Sequence, residues 1–300
     1  GTRSVALGYA ALSALTTPSY HVAIGYNSAA SCVTGLENVS VGANTLVFNT
    51  ASYNTALGTN ALYANTTASY NTAVGRSALT ANTTGHSNTS MGYSSGSGTT
   101  TGSNNISIGK DSFVANTTGT ENVAIGILAG RYANANYNTF LGSRAGYQAT
   151  GGNNVCIGAY GASNLTTGTN SIMIGYGVQP NAGSDSSIVI GANTTGKGNN
   201  TGFIYPPGGG NMYQASNATT WSQASDERIK KNIVDNNDGL NKLKNIRVRN
   251  FEYRTEDEIV DFDNPSSAVV EKEGIQIGAI AQEIEIILPD VVTEESTGVK

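Results

Sequence analysis

Apolar positions in the first two-thirds of this chain return in a short motif of β-branched residue, spacer, aliphatic residue and glycine, spaced 16 or 17 residues apart. The glycines are Gly8, Gly25, Gly42, Gly58, Gly75, Gly92, Gly109, Gly126, Gly142, Gly158, Gly175 and Gly191. Each is preceded by an aliphatic residue, from Leu7 and Ile24 to Ile174 and Ile190, and three before each stands a β-branched one, as in Val22, Thr55, Ile106, Val155 and Ile188. Asn occupies the place four before in eight copies, among them Asn38, Asn54, Asn71, Asn88 and Asn138.

Alternating side chains put the positions one and three before the glycine on one face of a short strand. Branched side chains suit that pleated surface. Asn opens the strand by bonding local backbone, and the glycine permits a tight bend. A weaker apolar run follows, such as Asn60-Ala61-Leu62 or Ser77-Ala78-Leu79, and then a polar turn such as Ala64-Asn65-Thr66-Thr67. Strand, bend, second strand and turn make one coil of a parallel β-solenoid. Twelve coils at about 4.8 Å each give a rod roughly 55–60 Å long. A helical repeat is excluded, since glycine costs about 1 kcal/mol each time it sits inside a helix.

The residue two before the glycine is small in the first eight coils (Ala6, Ala23, Ser40, Ala56, Ala73, Ser90, Ser107, Ala124) and then becomes Phe140, Cys156, Met173 and Val189. It points away from its two neighbours. A stripe of Ala and Ser suits close approach of a second backbone, and one coil buries little apolar surface by itself. The pattern therefore predicts several chains side by side, with a shared core that thickens downstream; it does not set their number.

Charge changes the picture only near the C-terminus. Residues 1–224 hold six Lys/Arg and four Asp/Glu, whereas residues 225–300 hold ten and 17. The organisation read from this is a repeat shaft over 1–203, a Pro/Gly-rich transition and cap over 204–224, and an α+β module over 225–300. In the module, Leu240, Leu243 and Ile246 mark a short helix, Phe251 and Tyr253 a strand, residues 255–273 an acidic loop, residues 274–280 a second strand, and Ala281 to Leu288 a helix stopped by Pro289. A net charge of −5 offers no basic stripe for nucleic acid. No apolar run is long enough for a membrane helix. The start at Gly1-Thr2-Arg3 reads as a fragment or a processed product.

Candidate chemistry on the rod is sparse. Cys32 and Cys156 lie about seven turns apart, roughly 30 Å or more, and read as free thiols. His21 and His86, four turns apart, make no metal site, and no cofactor is implied. Tyr20, Tyr53, Tyr70 and Tyr137, and Tyr9, Tyr26, Tyr93 and Tyr176 after the glycine, read as packing on the next coil. Sequons at Asn65, Asn82, Asn116 and Asn193 follow from Asn/Thr turn chemistry. No carboxylate pair recurs, which argues against glycan hydrolysis.

Asn122-Val123-Ala124-Ile125-Gly126, with relatives at 38–42, 71–75 and 105–109, resembles the head repeat of trimeric autotransporter adhesins, a pattern also found in phage tail-fibre shafts. The resemblance covers roughly residues 1–203 and implies a three-chain parallel β-roll.

The module carries Ser225-Asp226-x-Arg228-Ile229-Lys230-x-Asn232-Ile233, Phe251-Glu252-Tyr253, and Gly278-x-Ile280-Ala281-Gln282-Glu283 with Leu288-Pro289-Asp290-Val291-Val292. These three blocks resemble the C-terminal intramolecular chaperone domain of phage tail spikes and fibres, of peptidase S74 type. The resemblance implies a domain that trimerises, registers the fibre chains and cuts itself off, with Ser225 as nucleophile, Lys230 as its base and the Ser225–Asp226 bond as the site of the cut. A lysine base needs its pKa brought down from about 10.4 by burial, with Lys231 and Arg228 adding a like-charge push. A five-residue offset is about 140° around a helix, so Ser225 meets Lys230 from just outside the helix or from another chain. Read without the resemblance, Ser225 is also an ordinary N-cap and Lys230 a solvated lysine. The function expected is the shaft of a homotrimeric tail fibre or virion appendage used in host attachment, whose partners are further copies, a host glycan or protein receptor and other virion tail proteins. The alternative is a bacterial trimeric surface adhesin head.

Overall fold

The structure is a computed structural model that describes residues 3–17, 19–181, 183–206, 212–214, 222–223, 239–258 and 274–289. The chain divides into two compact units, Gly1–Ala224 and Ser225–Lys300.

In the first unit one strand per repeat, from β1 (Val5–Leu7) to β12 (Ile188–Gly191), lies parallel to its sequence neighbours in a single sheet. The register is that of the repeat: Thr55, Ala56 and Leu57 stand over Thr72, Ala73 and Val74. This is a parallel β-solenoid of about twelve turns. Where the period fails, β13 (Gly202–Tyr205) still runs parallel to β12, but β14 (Met212–Gln214) and β15 (Ser222–Gln223) continue the sheet antiparallel.

The run after the glycine is not the second strand expected from the sequence. Its residues alternate into left-handed conformation, as at Asn60 (φ 61°) and Leu62 (φ 49°). Alternate amides consequently point opposite ways along the stack: Asn60 donates to Ala43 O in the preceding coil and Leu62 to Ala78 O in the following one, both at 3.0 Å. The backbone is satisfied between coils without extended geometry.

A second correction concerns which face is inside. The small residue two before the glycine is buried within its own coil, as at Ala23, Ser40, Ala56 and Ala73, and does not face another backbone. It meets the side chain four after a glycine, such as Leu46, Leu62 and Leu79, across a narrow interior. The switch to Phe140 has the same logic. A Cβ on Gly130 would stand 2.5 Å from the Phe113 ring and 2.6 Å from the Phe140 ring, and one on Gly146 would also strike Phe140. Phe140 fills the hollow that these two glycines leave, so the large residue marks a volume exchange inside one chain and not a thickening core shared between chains.

The Asn before eight of the strands bonds local backbone in some coils, as Asn54 Nδ2 does to Ser52 O at 3.2 Å, and it also bonds across coils, which the repeat alone does not reveal. Its Oδ1 accepts the backbone N–H of the equivalent residue in the next coil. The rungs run through Asn38, Asn54, Asn71, Asn88, Asn105, Asn122, Asn138 and Asn154 without a break. Ser4 and His21 extend the ladder at one end, and Ser171 and Ser187 at the other. In several coils Nδ2 also holds a turn carbonyl, Asn71 that of Gly85 and Asn88 that of Gly102.

The second unit has α1 (Gly239–Asn245), β16 (Arg249–Phe251), β17 (Gln276–Gly278) and α2 (Ala281–Ile287), with β16 and β17 antiparallel. A 3-10 turn covers Glu256–Glu258.

Candidate functional site

Ser225, Asp226 and Lys230 lie outside the described residues, as do Arg228, Asn232, Ile233 and Asp290 to Val292. Phe251-Glu252-Tyr253 and the third block as far as Pro289 are described, and the fold brings them together. Phe251 in β16 pairs with Gln276 in β17, and Arg249 pairs with Gly278. Gly278 is tight against the Phe251 ring, which a Cβ there would approach to 3.2 Å. The Phe251 ring meets Tyr253 edge to face at 5.3 Å. Arg249 then forks onto Glu283 in α2, its Nε and Nη2 donating to the two carboxylate oxygens at 3.1 and 2.5 Å. These donations hold the Glu283 carboxyl below its ordinary pKa and raise Arg249 further. The bidentate pair ties strand to helix and fixes their spacing.

No described residue of this unit is buried. Val248, Ile275, Ile277 and Ile286 each leave 70% or more of their surface exposed.

The roll also presents an apolar face. Because the interior takes the middle residue of each strand, the two flanking ones point outward. Val5, Leu7, Val39, Leu57, Met91, Ile106, Leu141 and Ile188 are exposed, and the equivalents in most other coils are only partly covered. They stand on one face of one sheet, where the aliphatic residue before each glycine forms an apolar row and the residue three before adds to it except at Thr55, Thr72, Thr89 and Thr139.

The tyrosines outside that row are largely occupied. Tyr9 stacks on Tyr26 at 5.5 Å and Tyr53 on Tyr70 at 5.1 Å. Every Lys or Arg of residues 1–224 lies over an aromatic ring: Arg3 over Tyr20, Arg76 and Lys110 over Tyr93, Arg131 over Tyr132, Arg144 over Tyr147 and Tyr160, and Lys197 over Phe203. The contacts of Arg3, Arg76 and Lys110, and that of Arg144 with Tyr160, join neighbouring coils. The sequon side chains of Asn65, Asn82 and Asn116 are buried, whereas Asn193 is exposed.

Inside the roll, Cys32 and Cys156 are free, buried thiols. Burial raises both, Cys156 to about 12. His21 is buried as well, and burial holds it below the ordinary histidine value. Reading the histidines only as metal ligands missed this placement. The signal was present: His21 stands at the place that Asn occupies in eight repeats. Among the described residues no cluster of His, Cys, Asp and Glu has the makings of a metal site, and no helix is long and apolar enough to cross a membrane.

No curated protein and no solved structure matches this chain. Its C-terminal part does match a family: residues 225–293 fit the Peptidase S74 family, described as chaperone of endosialidase. The chain therefore carries a chaperone-of-endosialidase domain at residues 225–293, following a β-solenoid.

Proposed function

We propose that this chain is the shaft of a homotrimeric phage tail fibre or related virion appendage used in host attachment, assembled by a C-terminal module that then cuts itself away. The observation that carries this reading is the family match beginning at residue 225, directly after the solenoid unit ends at Ala224. One surface supports the assembly step. The outward apolar row on the roll gives each chain a face to bury against its copies. The interface on the roll is thus assigned to the residues one and three before each glycine.

In the cleavage step Lys230, neutral when buried, takes the proton of the Ser225 hydroxyl. The oxygen forms an ester with the scissile carbonyl carbon, the amine leaves with the proton from Lys230, and water hydrolyses the ester. Attack by Ser225 on its own carbonyl would close a four-membered ring. A cut at Ser225–Asp226 therefore uses the hydroxyl of a neighbouring chain, which makes cutting conditional on assembly.

The test is to express the chain with added C-terminal sequence and follow it by denaturing gel and intact mass. The reading expects a product ending at Ser225 and a released piece starting at Asp226, with Ser225→Ala and Lys230→Ala both left whole. One full-length band from the unaltered chain, indistinguishable from Ser225→Ala, would refute self-cleavage.

A further inference from the structure

Eleven backbone donations link the twelve side chains of the polar ladder from Ser4 to Ser187. All of its side-chain acceptors except one are amide or hydroxyl oxygens, which accept at any ordinary pH. The exception is His21, whose Nδ1 takes the Asn38 N–H at 3.1 Å. An imidazole nitrogen accepts only while it is unprotonated. Its use here fixes the neutral tautomer with the proton on Nε2, which lies 3.6 Å from Cys32 Sγ.

Among the described residues no charged side chain pairs with the ring to compensate a positive charge, and burial outweighs the backbone bond at Gly35 that favours one. Cys32 is the titratable group facing the ring, and burial keeps its thiol neutral. The rungs on either side, Ser4 and Asn38, do not titrate. Arg3, Tyr20 and Glu37 each precede a rung, but all three are exposed on the outside. Among the described residues no carboxylate pairs with His21.

We infer that His21 is an acid-sensitive rung, and that its protonation opens the N-terminal coils of the roll, residues 3–41, while the Asn-linked coils beyond stay closed. Protonated Nδ1 would set an N–H against the Asn38 N–H and bury an unpaired cation, so the proton enters only when the rung breaks. Breaking it frees the coils on the Ser4 side, since the coils beyond Asn38 keep their own rungs. The opened state titrates near 6.5, the ordinary histidine value, and the closed state lower. Closure is thus independent of pH above about 6.5. It weakens by up to tenfold for each pH unit below that, until pH falls through the closed-state pKa.

The inference is independent of the cleavage reading and is tested on the full chain. Amide hydrogen exchange, corrected for intrinsic rates, is measured between about pH 7.5 and pH 5 for the unaltered chain, His21→Asn and His86→Asn. Protection over residues 5–41 is expected to fall about tenfold or more in the unaltered chain and in His86→Asn but not in His21→Asn, with strands from Thr55 onward unchanged. The same pH profile in all three, or a loss spread evenly along the roll, would overturn it. Should His21→Asn fail to fold, the His21 ring is titrated by NMR in the unaltered chain. A pKa below 6.5 with loss of the Asn38 amide protection on titration supports the inference. A pKa at or above 6.5, or titration with the amide still protected, overturns it.

Discussion

The backbone N–H of Asn71 donates to Oδ1 of Asn54, one coil earlier, at 3.0 Å. Asn71 in turn accepts from the Asn88 N–H at 2.9 Å and donates through Nδ2 to Gly85 O. One side chain thus satisfies two buried backbone groups. Asn71→Ala leaves the Asn88 N–H unpaired, while Gly85 O keeps the donation from Asn82 Nδ2, and is expected to destabilise the roll by about 1–3 kcal/mol. Asn71→Ser retains an acceptor of the kind that Ser171 supplies to Ser187, and its loss is expected to be smaller. Equilibrium urea unfolding of the two variants ranks them; equal losses would show that the rung itself contributes little.

The repeat glycine is constrained twice over. Gly126 has φ +136°, and a Cβ there would lie 2.5 Å from Gly142 O in the next coil. Gly126→Ala must therefore strain the backbone and separate two coils, and is expected to cost several kcal/mol. Gly183, at φ +70° with open space around its Cβ position, is the control. Its alanine variant is expected to lose only about 1 kcal/mol. Thermal unfolding of both variants compares the costs.

Neighbouring positions on one strand should fail in different ways. Ala56 is sealed inside the coil, whereas Leu57 is exposed on the outward row. Ala56→Leu overpacks a filled interior and is expected to lower stability by about 1–3 kcal/mol. Leu57→Glu is expected to leave the coil's own fold intact, by circular dichroism, while weakening association between chains in analytical ultracentrifugation. Dissociation by Ala56→Leu and indifference to Leu57→Glu would reverse the assignment of the two faces.

The thiols report on the integrity of the roll. Burial pushes Cys156 to about 12, so almost no thiolate is present near neutral pH, and Cys32 is shifted the same way. Thiolate is the reactive form. Neither cysteine should react with maleimide over hours in the folded chain, and both should react within minutes once urea unfolds it. Rapid labelling of Cys156 in the folded state would contradict its placement inside the coil.

The period of the solenoid was legible in the sequence because the same steric demand recurs in every coil. At Gly8 and at Gly191 alike, a side chain would meet the backbone of the following coil. Which face of the strand is inside was not legible. Val-Ala-Ile alternates equally well with Ala inward or outward, and strand periodicity cannot tell a narrow interior from a close partner. The deciding residues were elsewhere in the coil: Leu62 and Leu79 supply the inner apolar bulk that makes Ala56 and Ala73 sufficient. Phe140 misled for the same reason, since its compensation at Gly130 and Gly146 is ten residues away on one side and six on the other. The ladder was half visible. Asn recurred, but a bond to the next coil looks in one dimension like a local turn. In the module, Phe251 and Gly278 stand in the two motif blocks that the β16–β17 pair joins, while the roles of Ser225 and Lys230 rest on the resemblance alone.

The central claim is that the outward row is covered by two further copies of the chain. The most direct measurement is the ratio of native mass, by native mass spectrometry or sedimentation equilibrium, to the mass of the constituent chain, 30.9 kDa when uncut. That ratio is independent of whether the module has been released. The account predicts three; a ratio of one, with the row left in water, would contradict it.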